Sequence, residues 1–143
     1  MTPGADCLIA LGSNRGRRRS HIRFALRALD LLPRTRLLRR SSLHETAPVG
    51  GPPQRHFINA AALIRTRLSP MGLLVELKRL EASCGRRPGP RWGPRPLDLD
   101  ILYYGRKKLR TRYLRVPHPL VRKRQFVLAP LAEVSPSRLG GKC

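Results

Sequence analysis

The sequence predicts an α+β domain in which helices cover an antiparallel sheet. Three observations carry this. Apolar runs of strand length occur at residues 7–11, 57–67 and 97–104. Two other segments, 18–32 and 70–85, repeat their apolar residues at helical spacing instead. Between the first helix and the second long run, residues 36–46 mix apolar and polar positions and read weakly as one more strand. The resulting order, β-α-β-β-α-β, is that of a split βαβ, or ferredoxin-like, sandwich with its helices packed on the sheet.

Each element has a local reason. Cys7-Leu8-Ile9-Ala10-Leu11 is continuously apolar, as a buried strand must be, and Gly12-Ser13-Asn14 reads as the turn that ends it. Ile22, Ala25, Leu26, Leu29 and Leu32 make one helical stripe, closed by Pro33. The stretch 47–54 is too rich in proline and glycine for regular structure, and a loop of that length suggests a functional role. Ser69-Pro70 is a helix start, serine as N-cap and proline at the first helical position. Leu73, Leu74, Leu77 and Leu80 continue it towards Gly85. Residues 85–96 form a second loop of glycine, proline and arginine. Residues 107–113 suggest a small edge hairpin, Pro117-His118-Pro119 a turn, and 126–134 a short closing helix. The whole reads as one domain over 1–143 with a short C-terminal tail.

Thirty lysines and arginines against eight acidic residues give a net charge of +22. Such a field attracts nucleotides, nucleic acid or anionic surfaces, although arginines spread along the chain are mostly solvated surface. No apolar run is long enough to span a bilayer. The N-terminus lacks the basic start and apolar length of a secretory signal, so a cytoplasmic location is expected. Cys7, Cys84 and Cys143 are too widely spaced for a zinc motif or a disulfide framework. Cys7 and Cys84 read as small apolar core residues.

The most chemically specific run is Arg91-Trp92-Gly93-Pro94-Arg95-Pro96-Leu97-Asp98-Leu99-Asp100. Side chains two apart on a strand share a face, so Asp98 and Asp100 stand side by side. Two like charges that close require a cation, either a metal or the neighbouring arginines. Paired carboxylate oxygens suit Mg²⁺, which commonly arrives with substrate phosphates. The run therefore suggests metal-assisted phosphoryl chemistry on a nucleotide.

Further blocks occur in order around it: Gly12-Ser13-Asn14, Thr46-x-Pro48-x-Gly50, Phe57-x-Asn59-Ala60-Ala61, Trp92-Gly93-Pro94-Arg95-x-x-Asp98-x-Asp100 and Val116-Pro117-His118. Together they resemble the 6-hydroxymethyl-7,8-dihydropterin pyrophosphokinases of folate synthesis, from residue 7 to about 135. The resemblance implies transfer of pyrophosphate from ATP to the pterin hydroxymethyl group. A monomer is the plain expectation, with no membrane and no specific nucleic acid as partner. The resemblance further implies that Asp98 and Asp100 hold two Mg²⁺ ions and that Arg86 and Arg95 contact the phosphates. Trp92 would help to close a mobile catalytic loop. Thr46, Val49, Gly50 and Asn59 would hold the pterin edge, with Phe57 and Phe126 sandwiching its ring. His118 and Arg124 would reach the ATP phosphate or ribose region, and Glu81 would sit near the nucleotide.

The chain departs from that pattern in places. Proline follows the histidine (Pro119), the loop between Gly85 and Trp92 is short and contains Pro88, and Lys78 stands where a polar amide is common. The residues also allow another class of function, a basic nucleic-acid-binding module on a ferredoxin-like sheet, favoured by the charge. Against it, three Phe, three Tyr and one Trp are thinly spread, without the aromatic pattern of a base-stacking sheet.

Overall fold

A computed structural model describes residues 4–47, 53–85, 96–119, 130 and 132–134. The first strand, β1 (Ala5–Ser13), leads to helix α1 (Arg18–Leu31) and then to strands β2 (Thr35–Arg40), β3 (His44–Thr46) and β4 (Phe57–Thr66). Helix α2 (Pro70–Ser83) and strand β5 (Asp98–Tyr104) follow, and the short strands β6 (Leu109–Arg110) and β7 (Arg115–Val116) form a hairpin. The sheet order is β2-β4-β1-β5, with β3 also on β4, and every pairing is antiparallel. This is the predicted α+β architecture, an antiparallel sheet with helices packed on it.

The predicted helix over 18–32 and the strand over 57–67 form almost as read. Ser69 caps α2 by accepting the Gly72 N–H at 3.0 Å, with Pro70 next to it. The helix ends at Cys84, and Gly85 takes a φ of +82°, which glycine adopts without strain. Three expectations need correcting. Gly12 and Ser13 are not a turn; they are the last residues of β1. The weak strand over 36–46 is two strands along one edge of β4. The hairpin extends past Tyr113, its turn at Thr111–Leu114 leading into β7. Residues 130 and 132–134 are helical, in keeping with the closing helix, while 126–129 lie outside the described residues.

Ser41 joins β2 to β3. Its N–H donates to Ala61 O at 2.9 Å, and its hydroxyl accepts the Ala61 N–H at 2.8 Å, in place of a ladder carbonyl. Both outer strands carry a bulge, one residue apart along the sheet. Leu38 is the extra residue of β2, opposite Leu63 and Ile64, and Leu102 is the extra residue of β5, opposite Leu8 and Ile9.

The two faces are buried differently. Cys7, Ile9, Leu11, Ile58, Ala60, Ala62, Ile64, Leu99 and Ile101 point to the helices and pack on Ile22, Leu26, Leu29, Leu73 and Leu77. Cys7 is wholly buried there, and burial pushes its thiol up to about 12, so it stays an inert core residue. Cys84 is half-buried against the same cluster, and Cys143 lies outside the described residues. On the other face Leu8, Ala61, Leu63, Leu102 and Tyr103 pack with Val134 of the C-terminal turn. Replacing Ser41 with alanine strands the buried Ala61 N–H. The expected loss is about 1–3 kcal/mol of unfolding free energy in a urea titration, with the denaturant slope unchanged.

Candidate active site

The site occupies the face opposite α1 and α2, at the end of β1. Gly12 pairs with Asn59 on one side and with Asp98 on the other. Directly paired residues share a face, so Asn59, Gly12 and Asp98 form one row across three strands. Phe57 stands one row nearer the end of the sheet, and Asp100 one row farther in, opposite Ala10. Strand spacing separates the Asn59 and Asp98 columns by about 10 Å. The glycine between them is bare. A Cβ there would lie 3.3 Å from Asn59 Oδ1 and 3.6 Å from Phe57 Cδ1. Its absence leaves a strip of backbone against which the Asn59 amide and the Phe57 ring lie, with Gly12 buried beneath them.

Asn59 is 7% exposed, and its Nδ2 donates to Thr46 Oγ1 at 2.5 Å. That bond turns the amide so that Oδ1 faces Gly12. An amide held this way offers both a donor and an acceptor to a heterocycle edge.

Strand β5 alternates as predicted. Leu97, Leu99 and Ile101 enter the core, while Asp98 and Asp100 are half-buried on the opposite face. The strand is held from behind by α2. Glu81, 3% exposed, accepts the Leu99 N–H at 2.8 Å and pairs with Lys78 Nζ at 3.3 Å. Leu99 is the residue between the two aspartates, so this bond sets the backbone that carries both. Two carboxylates on one side of a strand fit an oxygen-preferring ion that draws its remaining ligands from water and phosphate.

Beside β5, between α2 and the hairpin, lies a cleft of about 400 Å³, a size that suits a small-molecule ligand. Leu74, Lys78, Leu99, Asp100, Ile101, Thr111 to Arg115, His118 and Pro119 line it. The His118 N–H donates to Leu102 O at 2.9 Å, which holds this segment against the strand. Arg112 lies over the Tyr113 ring at 5.6 Å. Asp100 borders both the cleft and the strip over Gly12.

Of the residues singled out in the sequence, Thr46, Phe57 and Asn59 gather at the strip, Asp98 and Asp100 beside it, and His118 in the cleft. Glu81 sits behind β5, acting through Lys78 and Leu99. Val49, Gly50, Arg86, Trp92, Arg95, Arg124 and Phe126 lie outside the described residues. Two features escaped the sequence reading: Gly12 as a floor, and the rim from Thr111 to Arg115. A glycine directly after an apolar strand run was the available sign, since it also marks close approach of a ligand or backbone.

The profile of the 7,8-dihydro-6-hydroxymethylpterin-pyrophosphokinase family matches residues 8–136. The chain belongs to this family. It is 45% identical to the 2-amino-4-hydroxy-6-hydroxymethyldihydropteridine pyrophosphokinase of Bacillus subtilis, over 88% of this chain and 75% of that protein. It is 44% identical to the protein of that name in Pseudomonas aeruginosa, over 90% of this chain and 79% of the relative. A mitochondrial folate synthesis bifunctional protein of Pisum sativum is 44% identical over 94% of this chain. The chain spans 26% of that plant protein. As a pyrophosphokinase family member it has every described candidate residue inside the matched segment.

Glu81→Ala removes both the Leu99 tie and the partner of Lys78. A loss of about 2–3 kcal/mol in chemical denaturation is expected, because a charged hydrogen bond to a buried backbone donor is lost.

Proposed function

We propose that the strip over Gly12 holds the pterin, that the cleft holds ATP, and that Asp98 and Asp100 hold Mg²⁺ between them. The reaction is the family's: pyrophosphate passes from ATP to 6-hydroxymethyl-7,8-dihydropterin, giving AMP and the pterin diphosphate in tetrahydrofolate synthesis. The observation that supports the assignment of subsites is the position of Asp100, which lines the cleft and stands one row in from Asn59, Gly12 and Asp98 on the same face of the sheet. A carboxylate at that junction lies where two substrates would meet.

In this reading the pterin hydroxyl oxygen attacks the β-phosphorus of ATP. The bond from that phosphorus to the oxygen bridging to the α-phosphate breaks, AMP leaves, and the hydroxyl proton is lost. Such a transfer depends on positioning and charge neutralisation more than on covalent help. Mg²⁺ bound by the two aspartates, as two ions in the family pattern, supplies part of that neutralisation.

Asn59, set by Thr46, reads the pterin edge together with Val49 and Gly50, and Phe57 and Phe126 cover its faces. Arg86 and Arg95 meet the phosphates, for which arginine forks are suited. His118 and Arg124 orient the nucleotide, and Trp92 helps to exclude water from it. Glu81 contributes by placing Lys78 and the aspartate backbone. Among the described residues no helix is long and apolar enough to cross a membrane. A cytoplasmic monomer without a nucleic-acid partner completes the proposal.

Incubation with ATP, Mg²⁺ and 6-hydroxymethyl-7,8-dihydropterin should yield AMP in step with the pterin diphosphate. Folded protein that produces no AMP would overturn the assignment. Asp98→Ala and Asp100→Ala should each lower turnover by about 10³-fold or more, the several kcal/mol of a lost metal site. Pterin affinity should stay within a few-fold in calorimetry. Turnover that survives both changes would remove the metal from this position.

A further inference from the structure

Outside the site, a compact polar cluster joins the C-terminal turn to an element far from it in sequence. Glu133, on the C-terminal turn, meets the segment that joins β2 to β3. Its Oε1 accepts the Ser42 N–H at 3.2 Å and the Ser42 hydroxyl at 2.8 Å. Its Oε2 lies 2.6 Å from His44 Nε2, and Ser42 Oγ is 3.2 Å from the same nitrogen. The next residue, Val134, is wholly buried among Leu8, Ala61, Leu63, Leu102 and Tyr103. The turn is therefore anchored by an apolar plug on the sheet and a polar clasp at its edge.

His44 is where this cluster reaches the site. It begins β3, which pairs with β4 at only three positions: His44 with Asn59, Glu45 with Ile58 and Thr46 with Phe57. So short an edge strand holds its register weakly by itself. Yet its last residue, Thr46, supplies the oxygen that turns the Asn59 amide towards Gly12. The clasp grips the other end of the same strand, directly opposite Asn59. The cleft lined by Lys78, Asp100 and His118 lies beyond β5, three strands away.

We propose that Ser42, His44 and Glu133 are positioning residues for the pterin: the clasp fixes β3, and through Thr46 it fixes the orientation of the Asn59 amide. Hydrogen bonds from His44 and Ser42 hold the Glu133 carboxyl below its ordinary range, so it is ionised and able to accept all three bonds at neutral pH. The inference rests on the pterin subsite proposed above.

The test is steady-state kinetics of the full chain, wild type against variants. Glu133→Ala should raise the pterin KM about five- to twentyfold while kcat and the KM for ATP stay within twofold. Glu133→Gln keeps an oxygen that can accept both bonds from Ser42, and it should recover most of that loss. His44→Ala should raise the pterin KM as well, and the double variant His44→Ala with Glu133→Ala should be no worse than the poorer single one, as for residues acting as a unit. An unchanged pterin KM in folded Glu133→Ala, or equal rises for pterin and ATP, would overturn the clasp. Absence of AMP from the wild type would instead overturn the pterin subsite itself, so the two failures are distinct.

Discussion

Thirty cationic side chains against eight acidic ones leave this chain few carboxylates to place, and the structure spends them on joints. Asp6 pairs with Arg65 at 2.7 Å and ties β1 to β4. Asp30 accepts the Leu37 N–H and ties α1 to β2. Glu45 faces Arg19 at 3.8 Å and His56 at 3.4 Å, linking β3 to α1 and to the residue before β4. Glu81 ties α2 to β5, and Glu133 ties the C-terminal turn to the edge of the sheet. Glu76, which pairs with Arg79 three residues on, acts within one helix. The remaining two are Asp98 and Asp100, side by side on β5. An exposed ion pair contributes little, so the value of these joints lies in placement more than in bulk stability.

The surplus of arginine has a partial structural account. Strand β2 lies at the edge of the sheet, where unpaired backbone groups invite another strand. Its exposed positions are Arg36, Arg39 and Arg40, and it is bent by the bulge at Leu38. Charge and a bulge are two ways in which proteins blunt such an edge. Nothing in the structure explains the exposed Arg23 and Arg27 of α1.

Much of the fold was legible because burial writes a period into the sequence. The stripe Ile22, Ala25, Leu26, Leu29 marked α1, the alternation of Leu97, Leu99 and Ile101 with Asp98 and Asp100 marked β5, and Ser69-Pro70 marked the start of α2. At the site, Asp98, Asp100 and Asn59 were legible through residue type and spacing. What remained hidden depends on contacts across the sheet. Gly12 is a floor only because β4 and β5 flank it, and a single strand carries no sign of its neighbours. Ser41 replaces a ladder carbonyl with its hydroxyl, so one edge appears in the chain as an ambiguous stretch. Glu133 lies about ninety residues from its partners, beyond any local pattern.

The paired bulges carry a consequence of their own. Leu38 interrupts one outer strand and Leu102 the other, one residue apart along the sheet, while β1 and β4 between them pair in unbroken register from Ala5 to Ser13. On one side lie Leu8, Leu63, Leu102 and the Val134 plug, and on the other lie Gly12, Asn59 and the two aspartates. Each outer strand bends locally at its extra residue, but the unbroken β1–β4 ladder carries one register through both portions, so a slip among the apolar residues would displace Asn59 against Gly12.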